Sequence, residues 1–194
     1  MGLTITKQEI AELPIEVFKG KIVVVDHPRK IDKAIAYLNA QTEIGFDTET
    51  KPSFRRGEVH KVALMQLSTE NTCFLFRLNK IGFPDELEDI LCNPNIKKIG
   101  LSLRDDFAAI SKRSDRTPEN FLDLQVFVHE FGIEDNSLQK IYAILFGKKI
   151  SKSQRVSNWE ANMLSSAQKS YAAIDAWACL KIYHYLNNLP NEPL

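Results

Sequence analysis

Strand-forming and helix-forming patterns are segregated along this chain, and that order limits the folds open to it. Short, largely apolar runs recur at 22–25, 43–48, 62–68, 72–76 and 97–101, the first of them β-branched, bounded by turn formers such as Gly20, Pro28 and the pair Glu70-Asn71. Such punctuated runs read as strands. Between and after them, 28–38, 84–91 and 103–110 read as helices; in the first, Ile31, Ala34, Ile35 and Leu38 repeat at helical spacing. From Phe121 the pattern is helical almost to the end, with Gly132 and Gly147 as stops and Ser165 as the N-cap of a long last helix. Strands first, alternation next and helices last predict an α/β chain with a mixed sheet flanked by helices. Residues 4–20 form a lead-in, helical in part and interrupted at Pro14. A length of 194 residues suffices for one domain with a substantial core and is short for two. One domain over 1–194 is therefore expected, with 1–20 as its lead-in segment.

Charge and composition remove several function classes. Twenty-five basic and 25 acidic residues give a net charge of +0. Proteins that wrap long duplexes carry excess positive charge, so any nucleic-acid contact should be local, such as a small footprint around a strand end. No apolar run approaches the ~20 residues needed to span a bilayer, and no membrane association is expected. The N-terminus lacks the basic-then-apolar pattern of a secretory signal. Cys73, Cys92 and Cys179 are odd in number and widely separated, without zinc or redox spacing. They read as free thiols in a reducing compartment, the cytoplasm.

The chemistry-bearing residues come in two spaced pairs. Asp47 and Glu49 sit two apart in a strand, so both carboxylates point to one side of the sheet. Tyr171 and Asp175 sit four apart in a helix and share a face. Clustered carboxylates repel one another unless cations hold them, which makes a divalent metal site, with metal-assisted phosphate chemistry, the first hypothesis. A third acid lies at Asp105 or Asp106, where a helix starts at the rim of the sheet. The two point roughly 100° apart around that helix, and the residue pattern alone leaves both open.

Three segments resemble the motifs of the DEDD 3′–5′ exonuclease superfamily: Phe46-Asp47-Thr48-Glu49-Thr50, the run from Ile99 through Asp106, and Tyr171-Ala172-Ala173-Ile174-Asp175. The resemblance selects Asp106 in the second motif. Tyr171, in place of a histidine, puts the chain in the Tyr branch (DEDDy). The stretches 157–160 and 164–168 are similar to the lead-in of ribonuclease D and Werner-type exonuclease domains. Asp105 departs from the pattern, because relatives often carry a small residue there. The resemblance implies a ribonuclease-H-like fold with a mixed five- to six-stranded sheet. It also implies two divalent ions, Mg²⁺ or Mn²⁺, held by Asp47, Glu49, Asp106 and Asp175, with Tyr171 orienting or helping to deprotonate the attacking water. The implied substrate is single-stranded nucleic acid or the 3′ end of a duplex, DNA or RNA, degraded to nucleoside 5′-monophosphates. An inactive nucleic-acid-binding module of the same fold is the alternative, but such a module usually lacks one of the carboxylates.

Substrate contacts are expected from three places. Phe54, Arg55 and Arg56 occupy a loop beside the first motif, where Phe54 can wedge against a base and the arginines can hold phosphates. Met65 and Gln66 lie on the strand that follows. Lys148, Lys149, Lys152 and Arg155 form the densest basic stretch, suited to phosphate contact. Trp159 and Trp177 are expected to be core aromatics.

Overall fold

A computed structural model describes residues 2–55 and 57–189. Helix α1 (Lys7–Glu12) opens on a capping box, in which the Thr6 hydroxyl accepts from the Glu9 amide and the Glu9 carboxylate accepts from the Thr6 amide. It ends at Leu13, before Pro14. There follow β1 (Lys21–Val25), a 3₁₀ turn (Pro28–Lys30), α2 (Ile31–Asn39), β2 (Glu43–Thr50), β3 (Val62–Ser68), β4 (Thr72–Phe76), α3 (Leu78–Ile81), α4 (Asp85–Leu91) and β5 (Lys97–Gly100). Then come α5 (Leu103–Ile110), β6 (Phe121–Asp123), α6 (Leu124–Phe127), α7 (Leu138–Phe146) and α8 (Ser166–Asn187).

Among the described residues, six strands form one mixed sheet in the order β1-β4-β3-β2-β5-β6. The central pairs β2–β3 and β3–β4 are antiparallel; β1–β4, β2–β5 and β5–β6 are parallel. Two expectations are corrected. Residues 121–123 form an edge strand, not a helix, because Phe121, Leu122 and Asp123 pair with Lys98, Ile99 and Gly100. Residues 148–165 hold no helix. There Ser153, Ser157 and Asn158 engage nearby backbone or side-chain groups, a local alternative that competes with helical bonding.

The strands bury both faces. On one face Phe46, Met65, Leu67, Phe74 and Phe76 pack against α2 and α4 through Ile35, Leu38, Leu87 and Ile90. On the other, Leu64, Cys73 and Leu75 meet Ala172 and Ala173 of α8 together with Trp159. Trp159 is fully buried, and Trp177 meets Phe18 in a tilted contact with ring centroids 5.7 Å apart. Helix α8 rides directly on β2: a Cβ at Gly45 would stand 1.9 Å from the Ala176 carbonyl oxygen. Only glycine permits that approach, and it brings the middle of α8 over the carboxylates of β2. Among the described residues, no helix is long and apolar enough to cross a membrane.

Candidate active site

The alternation of β2 sends Phe46 and Thr48 to one face and Asp47 and Glu49 to the other, where α8 lies. Ser165 starts α8 with a second capping box, its hydroxyl accepting from the Gln168 amide and Gln168 accepting from the Ser165 amide. With the start of α8 set, Tyr171 and Asp175 fall one turn apart above β2. Carboxylate oxygens of Asp47, Glu49 and Asp175 lie within 4.8 Å of one another. The Tyr171 hydroxyl lies near enough to the Asp175 carboxylate to lower its pKa.

Asp106 stands at the edge of this trio rather than inside it. Its carboxylate accepts a hydrogen bond from the Thr48 hydroxyl, and its charge still reaches Asp47 and Glu49. Asp105 is exposed, whereas Asp106 is half-buried. The start of α5 is held by Asp123, at the end of β6. One Asp123 carboxylate oxygen accepts from the Ser102 amide at 3.0 Å and the other from the Leu103 amide at 2.9 Å. The first oxygen also caps α6 through the Gln125 amide at 2.9 Å. Ser102 sits in the left-handed region, with φ at 62°, which costs energy in a non-glycine residue. Asp123 was missed by sequence reasoning; an Asp directly before a helix was its available signal.

Burial and mutual repulsion set the electrostatics. Burial, then the charges of Asp175, Glu49 and Asp106, pushes Asp47 well above the usual carboxylate range. Burial followed by Asp175 and Asp106 raises Glu49 to about 8, against an opposing pull from Arg155. Burial raises Asp175 to about 7, moderated by the Tyr171 hydroxyl and by Lys152. Burial also raises Asp106 to about 6, moderated by Thr48. Tyr171 is pushed up by burial and the nearby carboxylates. Hard oxygen donors that converge and resist ionisation for want of positive charge fit a divalent cation.

The substrate candidates divide. Phe54 is 83% exposed and Arg55 is exposed beside it; Arg56 lies outside the described residues. Lys152 and Arg155 are exposed and close enough for their charges to act on Asp175 and Glu49. Four other candidates are placed differently. Met65 is fully buried in the core on the face opposite Asp47. Gln66 pairs in register with Asp47 but is also fully buried beneath it, so neither residue presents surface to a substrate. Lys149 donates its ammonium to the Ala11 carbonyl and Lys148 bonds Glu16 at 3.1 Å. Those two lysines hold the lead-in instead of facing the carboxylates.

Residues 22–190 match a family model described as 3′-5′ exonuclease. The chain is 36% identical over 152 residues to the mouse protein named bifunctional 3′-5′ exonuclease/ATP-dependent helicase WRN, a match covering 75% of this chain and 11% of that one. The EXO domain of Nibbler from Aedes aegypti superimposes with a TM-score of 0.75 at 22% identity, over 98% of this chain and 95% of that one. Ribonuclease D from Trypanosoma brucei, solved in complex with RNA, gives a TM-score of 0.78 at 22% identity, over 91% and 66% of the two chains. At such identities these structures establish the fold, which is ribonuclease-H-like, as the motifs implied.

Proposed function

This chain belongs to the 3′–5′ exonuclease family, and we propose that it hydrolyses the terminal phosphodiester of DNA or RNA strands to release nucleoside 5′-monophosphates. The observation that carries this reading is the meeting of Asp47, Glu49 and Asp175 oxygens within 4.8 Å, from a strand and a helix more than a hundred residues apart in sequence. Asp47, Glu49, Asp106 and Asp175 would hold two Mg²⁺ or Mn²⁺ ions, which when bound acidify an attacking water and stabilise the leaving 3′ oxygen. Burial and the adjacent carboxylates raise the pKa of Tyr171, which favours orienting that water over helping to deprotonate it. Lys152 and Arg155 bring positive charge to the rim of the acidic site and are suited to the phosphates on either side of the scissile bond. Phe54 and Arg55 offer an exposed arm on the loop after β2.

The substrate is a single strand or the 3′ end of a duplex, consistent with the zero net charge. The RNA in the trypanosomal ribonuclease D complex makes RNA a substrate to test alongside DNA. The chain spans 11% of its mouse relative, and we propose that it works as one catalytic domain with its lead-in attached. Cys73, Cys92 and Cys179 are free, which suits a reducing cytoplasm. The test is divalent-ion-dependent release of 5′-mononucleotides from 3′-accessible single-stranded DNA and RNA. Asp47→Ala should abolish release; a variant that keeps the unsubstituted rate places the chemistry elsewhere.

A further inference from the structure

Beside Tyr171 the structure holds a cavity of about 220 Å³. One wall is helical: Ala167, Ser170 and Tyr171 lie on one stripe of α8. Tyr171 is therefore shared between this cavity and the carboxylate site. A second wall is the 151–153 loop, through Ser151 and Ser153. The Ser151 hydroxyl donates to that of Ser153 at 3.1 Å, and the charge of Lys152, between them, acts on Asp175.

The third wall is the lead-in, through Ile15 and Val17. These residues are 60% and 55% exposed, although the segment between α1 and β1 is firmly held. Glu16, between them, is buried. It accepts from the Tyr142 hydroxyl at 2.8 Å and is paired with Lys148 at 3.1 Å and Lys181 at 3.3 Å. Its amide donates to the Lys149 carbonyl at 2.9 Å, and the Lys149 amide to the Pro14 carbonyl at 2.9 Å. The segment is pinned by its polar residue and backbone while its apolar side chains are left in water at the cavity. The negative charge of Glu16 is neutralised there, so it does not repel an anionic strand.

We infer that this cavity is a subsite for one base of the strand being degraded, built on the lead-in and adjoining the scissile phosphate. The inference rests on the exonuclease reading above. Apolar walls with hydroxyls at the rim accept the face of any base, which gives sequence-tolerant binding. A volume of about 220 Å³ is below the ~300–1,000 Å³ of pockets for drug-sized ligands, and suits a single ring system. Lys152 and Arg155, on the adjoining loop, stand where the flanking phosphate would lie. Ile15 and Val17 precede residues 22–190, the span that the family model matches.

Abasic scanning tests it. Labelled single-stranded DNA oligonucleotides with one abasic nucleotide at successive positions from the 3′ end are given to the full chain. Binding is read by fluorescence anisotropy in Ca²⁺ and turnover in Mn²⁺. One position should cost about tenfold in binding. Ala167→Phe, which fills the cavity from an exposed helix position, should lose a similar factor on the intact oligonucleotide and become indifferent to that lesion. The double variant Ile15→Ser, Val17→Ser, which removes the apolar wall without adding bulk, should behave the same way. In both variants binding should fall by a larger factor than turnover at saturation. Equal sensitivity at every position, or a position-specific penalty that survives in both variants, overturns the subsite. So does lost turnover with unaltered binding, which would make the lead-in a mere support. Absence of turnover in every form with the binding pattern intact would sink the exonuclease reading and leave the subsite standing.

Discussion

Tyr171 and Asp123 show how single residues divide the labour. On the proposed reading Tyr171 touches the reacting region, and its hydroxyl is its only polar contribution. Tyr171→Phe should preserve folding and Mn²⁺ binding while lowering turnover by ~10²–10⁴, the usual range for a positioned acid–base or orienting group. Circular dichroism, metal titration and single-turnover rates would check the three parts. Asp123 touches neither substrate nor the carboxylate trio, yet it holds the amides of Ser102 and Leu103 at the start of α5. Asp123→Asn removes the charge and one of two accepting oxygens. It should cost about 1–2 kcal/mol of stability, as lost caps do, and raise the divalent-ion concentration needed for half-maximal turnover through a displaced Asp106. Chemical denaturation and Mn²⁺ titration of turnover measure the two effects separately. Asp47, Glu49, Tyr171 and Asp175 were legible in the sequence because strand and helix periods dictate their spacing, whereas Asp106 needed the motif resemblance to separate it from Asp105. Asp123 was not, because its partners lie about twenty positions away and only folding joins them.

At the scale of elements, the site is the contact between β2 and α8, with α5 at its edge. That contact stacks carboxylates that resist ionisation, which sets a pH dependence of definite sign. In protein stripped of divalent ions, Asp106, Asp175 and Glu49 keep their protons up to about 6, 7 and 8. In the unfolded chain the same groups lose theirs near pH 4. The folded form therefore binds more protons across that window, and stability falls as pH rises from about 4 to about 8. Urea midpoints in chelator should be higher at pH 5 than at pH 8. Added Mn²⁺ should reverse the loss, since metal binding displaces those protons. A flat profile in chelator would mean the acids ionise freely. Strands β3 and β4 and helix α5 were legible to the residue, because turn formers or a clear helical period delimit them. Strand β6 was not: three residues show no period, and Phe121–Asp123 is extended only because β5 offers an edge. Residues 148–165 misled because their composition is neutral between helix and turn.

Over the whole molecule, net charge of +0 leaves nucleic-acid binding to a few placed cations. Lys152→Ala with Arg155→Ala should weaken oligonucleotide binding and flatten its dependence on salt by roughly one phosphate contact per cation removed. Lys148 and Lys149 variants should leave that slope alone, because those side chains are engaged with Glu16 and Ala11. Binding measured across a salt series decides this, and equal effects from both pairs would contradict the division. By itself the sequence determined the α/β class, most of the strands and the pairing of Asp47 with Glu49 and of Tyr171 with Asp175, because each is written in local periods and spacings that survive in any compact state; Asp106 was picked out from Asp105 by the motif resemblance alone. The tertiary structure alone decided which way each buried side chain faces on strands covered on both sides, which lysines remain free, and that the lead-in closes a cavity beside Tyr171. Those outcomes depend on pairing register and on contacts between segments far apart in the chain, and no local pattern encodes them.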